Sequence, residues 1–185
     1  MKRRMQAVQP VTRMKANAMR SISLAQANKI VTGTFASARK RKAYALAAIV
    51  LDAGGRVKAF QKQDGASLMR FEIAYGKAFA ALSLNRSSRQ VLHKFREKPQ
   101  FLQNLVELSD GPIFLEGGGQ LIRDASGEIA GALGVTGDVN EVDDLCAIDG
   151  IRAGGFRGDA DFDARAAKRL NIKVDPPLRD PRKKS

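Results

Sequence analysis

The sequence predicts an α+β domain in which a mainly antiparallel, five-stranded sheet is covered by helices. Three observations carry that prediction. Amphipathic helical stripes flank short apolar runs, glycine-rich turns join those runs as hairpins, and the middle of the chain is almost neutral. Hairpin-linked strands pair antiparallel, and apolar helical faces must be buried against a partner layer.

The first helix is expected to start after Ser23. Ser23-Leu24-Ala25-Gln26 forms a capping box, in which the serine oxygen accepts an early amide while Gln26 reaches back. Apolar side chains recur at Leu24, Ala27, Ile30, Val31, Phe35 and Ala38, a helical period. Arg39 to Lys42 then set cations against the negative end of the helix dipole. Leu46 to Leu51 and Arg56 to Lys62 read as a hairpin around Asp52-Ala53-Gly54-Gly55. After the turn Asp64-Gly65-Ala66, Ser67 is placed to cap a second helix from Leu68 to about Leu82. Its apolar face is Leu68, Phe71, Tyr75, Ala78, Phe79 and Leu82. Residues 85–108 read as a looser helical connection broken at Pro99. Three strands follow, Pro112 to Leu115, Gln120 to Arg123 and Glu128 to Thr136, separated by glycine-rich turns. Asn140 then caps a last helix from Glu141 to Arg152.

The net charge of +13 belongs to the ends. Residues 1–20 hold six basic and no acidic side chains, and residues 165–185 hold eight basic and two acidic ones. Residues 21–164 hold 18 basic and 17 acidic. No aromatic side chains are interleaved with the basic runs, so a specific nucleic-acid platform is not expected, and solvated ends explain the charge. Three regions result: a basic, disordered leader at 1–22, a domain at 23–153 and a basic C-terminal extension at 154–185. No apolar run approaches the ~20 residues of a membrane-spanning helix, and nothing apolar follows the basic opening as in a secretory signal. A single cysteine, Cys146, fits a reducing compartment, so a cytoplasmic protein is expected. One cysteine and one histidine cannot build a structural zinc site.

Several segments then stand in the order and spacing of a known family. They are Val50-Leu51-Asp52-Ala53-Gly54-Gly55, Asp64-Gly65-Ala66, Ile73-Ala74-Tyr75-Gly76-Lys77-Ala78, Gly117-Gly118-Gly119, and Gly131 to Gly137 followed by Asp143-Asp144. Over roughly residues 23–153 the chain resembles the GlcG/HbpS family, which includes haem-binding proteins and the C-terminal domain of PduO-type corrinoid adenosyltransferases. The resemblance implies a profilin-like, three-layer α/β/α fold, assembly into homo-oligomers, and binding of haem or a related tetrapyrrole, sometimes with haem degradation. It departs from the family at Ala80, where relatives carry threonine, at Lys62-Gln63, and in having no histidine between residues 23 and 42. These departures bear on iron ligation and leave the fold untouched.

The candidate site residues follow. His93 is the sole imidazole and the first candidate for a haem-iron ligand; its alternative is a solvated surface position. Tyr44 and Tyr75 could also meet iron, although Tyr75 fits the helix core stripe. Lys77 stands in a small, apolar helix, where it could neutralise a propionate or transfer a proton; its alternative is a surface lysine paired with Glu72 or Asp64. Arg70 lies on the same side of the helix. Asp64 is either a turn residue or an acid–base partner for Lys77. Gly117, Gly118 and Gly119 could offer backbone amides to an anion or simply permit a turn. Asp138, Asp143 and Asp144 are read as favouring the positive end of the last helix. Cys146 is read as a buried apolar residue.

The leading reading is therefore a small-ligand-binding protein with haem as cofactor, bound near the second helix and the glycine-rich turn. One alternative is an enzyme of carboxylate or aromatic catabolism using Lys77 and Asp64. The other is a non-catalytic, corrinoid-related accessory domain.

Overall fold

The computed structural model describes residues 22–109 and 111–182; the expected basic leader lies outside them, apart from Ile22. Helix α1 (Leu24–Arg41) begins at the capping box. Ser23 Oγ accepts from the Gln26 amide at 3.2 Å, and Gln26 Oε1 accepts from the Ser23 amide at 3.0 Å. The helix ends where Lys42 turns left-handed at φ 52° beside Arg39, Lys40 and Arg41. Strands β1 (Ala47–Asp52) and β2 (Val57–Lys62) form the expected hairpin. Helix α2 (Arg70–Leu84) starts two residues later than its period suggests, without a side-chain cap, because Ser67 and Leu68 are still in the connection. The connection resolves into α3 (Ser88–Phe95) and α4 (Pro99–Leu108), with Pro99 in the first turn, where its missing N–H costs nothing. Strands β3 (Gly119–Arg123) and β4 (Ile129–Thr136) and helix α5 (Asn140–Ala153) complete the family-like stretch.

Among the described residues the sheet has four strands, not five, in the order β2-β1-β4-β3, every pair antiparallel. The segment Pro112 to Leu115 is no strand. It lies along α2, where the Phe114 amide donates to the Gly76 carbonyl at 3.2 Å. A Cβ on Gly76 would sit 2.7 Å from Phe114 Cβ, so the missing side chain is what lets the segment approach. An apolar run of this length reads the same whether a sheet or a helix covers it, and Pro112 has no amide to offer a ladder.

Alternation along the central strands divides the core. Ala48, Val50, Ile122, Leu133 and Val135 face α1 and α5. Ile49, Leu51 and Ala132 face α2, against Ala74 and Ala78. Strand β1 is apolar from Ala47 to Leu51 because both its faces are covered. Helix α2 approaches β4 so closely that a Cβ on Gly134 would lie 1.9 Å from the Ala74 carbonyl oxygen. A backbone oxygen cannot step aside as a flexible side chain can. Gly134→Ala is therefore expected to cost about 3 kcal/mol, the upper end for overpacking, seen as a lower urea midpoint with an unchanged slope.

The C-terminal extension folds back onto the domain. Arg123 and Arg157 exchange backbone hydrogen bonds, a 3₁₀ turn spans Asp159–Asp161, and α6 covers Ala164–Arg169. Phe162, Ala167 and Ile172 form a small core of their own. The basic composition of this region conceals these few apolar anchors, whose spacing follows no single period. No helix among the described residues is long and apolar enough to cross a membrane.

Candidate functional site

Lys77 is the centre of a buried junction that stands behind the site. It lies on the face of α2 that covers β4, and only 3% of it is exposed. Its Nζ donates to the Val135 carbonyl at 3.2 Å and to Asp143 Oδ2 at 3.0 Å. Asp143 comes from the first turn of α5, on the opposite face of the sheet, so the pair links the two helical layers. Neither Glu72 nor Asp64 is the partner. Burial pushes the Asp143 carboxyl up to about 6, while the Lys77 ammonium and the amides of Asp138 and Gly137 draw it down.

Asp144 is also fully buried and serves a second network. Its Oδ1 accepts from the Gly118 amide at 2.6 Å and from Gln120 Nε2 at 2.8 Å. Its Oδ2 accepts from Arg89 Nε at 2.6 Å, and Arg89 Nη1 reaches Glu141 at 3.2 Å. Ser88 Oγ accepts from the Gly119 amide at 3.0 Å and donates to the Glu116 carbonyl. The amides of Gly118 and Gly119, which could have met an anion or served only a turn, are thus engaged within the protein. At Gly118, with φ 111°, a Cβ would lie 2.2 Å from the Val135 oxygen; at Gly119 it would lie 2.2 Å from the Lys77 oxygen. The turn is a tightly wedged junction of α2, α3 and α5. Asp143 and Asp144 do more there than favour a helix end.

Beside this junction is an open cavity of about 500 Å³. One wall is α3, with Arg89, Leu92 and His93, continued by Arg96 just past its end. Another is Gly117 with Asn140 and Glu141, and the third is the extended segment from Pro176 to Arg179. His93 and Gly117 therefore come together. The other expected site residues do not line it. Lys77 is enclosed behind the glycine turn, and Asp64 is exposed on its own turn. Arg70 donates to Thr136 Oγ1 at 3.0 Å, with its Nε buried and unpartnered. Tyr75 packs between Phe71 and Phe79, and exposed Tyr44 lies under Arg182. Cys146 is buried, and burial pushes its thiol up to about 11.

The cavity joins a histidine, guanidinium groups and an apolar surface made by Leu92, Pro176, Pro177 and Leu178. Such a set suits a flat, largely apolar ligand with anionic substituents, the imidazole being free to meet a metal at its centre. Sequence reasoning missed Arg89 and Arg96, although 89, 93 and 96 share one helix face by spacing alone. It had no means of finding Pro176 to Arg179, which arrive from more than 80 residues away in the chain.

The sequence profile described as haem-degrading HbpS-like proteins matches residues 22–152. Among solved structures, the ORFY protein of Klebsiella pneumoniae is 25% identical over 84% of this chain and 97% of its own, with a TM-score of 0.65. A complex of PduOC with haem is 21% identical over 74% of this chain and 96% of its own, with a TM-score of 0.65. A double mutant of Streptomyces reticuli HbpS is 21% identical over 80% and 97%, with a TM-score of 0.63. The last two likenesses, at such identity, are likenesses of fold. No curated protein sequence matches the chain.

Proposed function

This chain belongs to the HbpS-like family of haem-degrading proteins, and we propose on that basis that it binds haem or a related tetrapyrrole in the cavity beside His93. The observation that carries the proposal is the meeting of an exposed imidazole with Arg89, Arg96 and an apolar wall in a space of about 500 Å³. His93 would offer an imidazole nitrogen to iron, Arg89 and Arg96 would present positive charge to the propionates, and Leu92 with the proline pair would cover the apolar ring. Lys77 acts from behind, holding the glycine turn in place through Asp143 and the Val135 carbonyl. The solved PduOC complex contains haem, which makes haem the first ligand to test.

Titration with haemin is expected to give a saturable, red-shifted Soret band. In His93→Ala that shift is lost while the urea midpoint stays within ~0.5 kcal/mol of wild type, as befits an exposed side chain. An unshifted spectrum in wild type, or a full shift in the variant, rejects His93 as ligand. Proton transfer between Lys77 and Asp64 finds no support in the geometry, since one group is enclosed and the other stands on an exposed turn.

Assembly of several copies completes the proposal. Leu68, Met69 and Phe71 around the start of α2, and Phe101, Val106 and Leu108 on α4, all expose apolar side chains. No residue of α4 is buried, which leaves its apolar face for a neighbouring copy. Sedimentation of the full chain is expected to give an oligomer that Phe101→Asp/Val106→Asp dissociates. A monomeric wild type would dismiss this part. A cytoplasmic setting fits the free, buried Cys146.

A further inference from the structure

The stretch that matches the family ends at residue 152, yet the cavity is closed by residues beyond it. The segment from Lys173 to Arg182 crosses the domain from α3 to the end of α1 and is fastened at both ends. At the near end, Gln90 Nε2 donates to the Lys173 carbonyl at 2.5 Å. At the far end, Asp180 meets Arg41 Nε at 3.3 Å, and Arg182 Nη2 meets Asp138 Oδ2 at 2.5 Å. Arg182 also lies over the Tyr44 ring at 5.2 Å and donates to the Lys42 carbonyl.

Between these fastenings run Pro176, Pro177, Leu178 and Arg179. Two consecutive prolines fix the backbone in an extended form and remove two amide donors, so the strap neither coils nor joins the sheet. It stands clear of the domain on both sides: the His93 cavity lies along one side, and a smaller space of about 210 Å³ over Gln120 and Leu145 lies along the other. A rigid strap spanning two hollows is a wall whose side chains remain available to a ligand.

The charges lining the larger cavity sharpen this. Arg89 is matched by Asp144 and Glu141. Arg96, just past the end of α3, and Arg179 on the strap have no carboxylate within 4 Å among the described residues. The two uncommitted guanidiniums thus belong to facing walls, one inside the family-matched stretch and one outside it.

We propose that the C-terminal strap is part of the binding site, and that Arg179 with Arg96 clamps the carboxylate-bearing edge of the ligand. The extension thereby selects a tetrapyrrole with two free carboxylates over a neutral one. This rests on the haem reading above and names the selective element that the family match does not contain.

The test compares haemin with its dimethyl ester, which keeps the ring and the iron but carries no carboxylate charge. The wild type is expected to bind haemin about tenfold more tightly than the ester, the size of one charge-assisted hydrogen bond. Arg179→Ala removes most of that preference by weakening haemin alone, leaves ester affinity unchanged, and keeps the wild-type urea midpoint. Arg179→Lys recovers part of the preference, since a point charge replaces a planar fork. Equal affinity of wild type for both ligands, or an Arg179→Ala variant that loses both alike or neither, overturns the clamp while leaving haem binding standing. If wild type binds neither ligand, the haem reading fails and the clamp falls with it.

Discussion

Replacing Lys77 with methionine is expected to destabilise the protein by about 3–5 kcal/mol at pH 8, because it leaves the buried Asp143 carboxylate without its counter-charge. The direct partner is 3.0 Å away and neither side chain reaches solvent to any useful extent. Water cannot replace the ammonium without opening the junction between α2 and α5. The loss should be smaller at pH 5, where the unpaired carboxyl can take up a proton. The sign follows from burial. The folded-state value for Asp143 is about 6, raised above the ordinary 3.8 by burial. A group raised on folding contributes stability that is complete below its unfolded value and lost as pH climbs through its folded value. In wild type, Asp143 therefore weakens the fold as pH rises from about 4 to about 6, and removing Lys77 carries that window higher. Urea unfolding of wild type and Asp143→Asn across pH 4–7 isolates this contribution, since other groups cancel in the difference. A difference that grows in favour of wild type as pH rises would reverse the assigned sign. The double variant Lys77→Met/Asp143→Leu is expected to recover most of the stability lost by the single change, as paired apolar replacements of buried ion pairs commonly do.

Asp144→Ala is expected to be at least as damaging, with a loss of about 4 kcal/mol and weaker haemin binding. The change strands the Gly118 amide and the Gln120 side-chain amide inside the protein and leaves Arg89 with Glu141 alone. Buried donors without partners cost about 1–3 kcal/mol each, and the loss of the charge pair adds to that. Because Arg89 stands on the same helix as His93, loosening it also shifts a wall of the cavity. Asp144→Asn keeps an acceptor for Gly118 but not the charge facing Arg89, so roughly half the loss is expected. Hydrogen exchange at the Gly118 amide separates the two variants: protection should vanish in the alanine variant and persist in the asparagine one. Full protection in both would mean that Asp144 does not hold the turn.

The two pairs explain why the site was harder to read than the fold. Ser23 and Gln26 stand three residues apart, so their reciprocal bonds follow from spacing. The β1–β2 hairpin is equally local, for Asp52 to Gly55 carry the turn that joins its strands. Lys77 and Asp143 are separated by 66 residues, and Arg89 and Asp144 by 55. No period or turn rule reaches that far. A lysine among small residues looks the same in sequence whether it snorkels to solvent or crosses a junction to a buried acid. The segment Pro112 to Leu115 failed for a related reason: an apolar run does not state which layer will cover it, and Gly76 on α2 decided that.

By itself the sequence determined helices α1, α2 and α5, the two hairpins and their antiparallel pairing, because each arises from hydrophobic period, capping and turn chemistry within a few residues. Tertiary structure alone decided Lys77's partner, the enclosure of the Gly118 and Gly119 amides, and the joining of His93 to a strap from the far end of the chain. Those outcomes depend on desolvation and charge pairing, which exist only after distant layers have closed over one another.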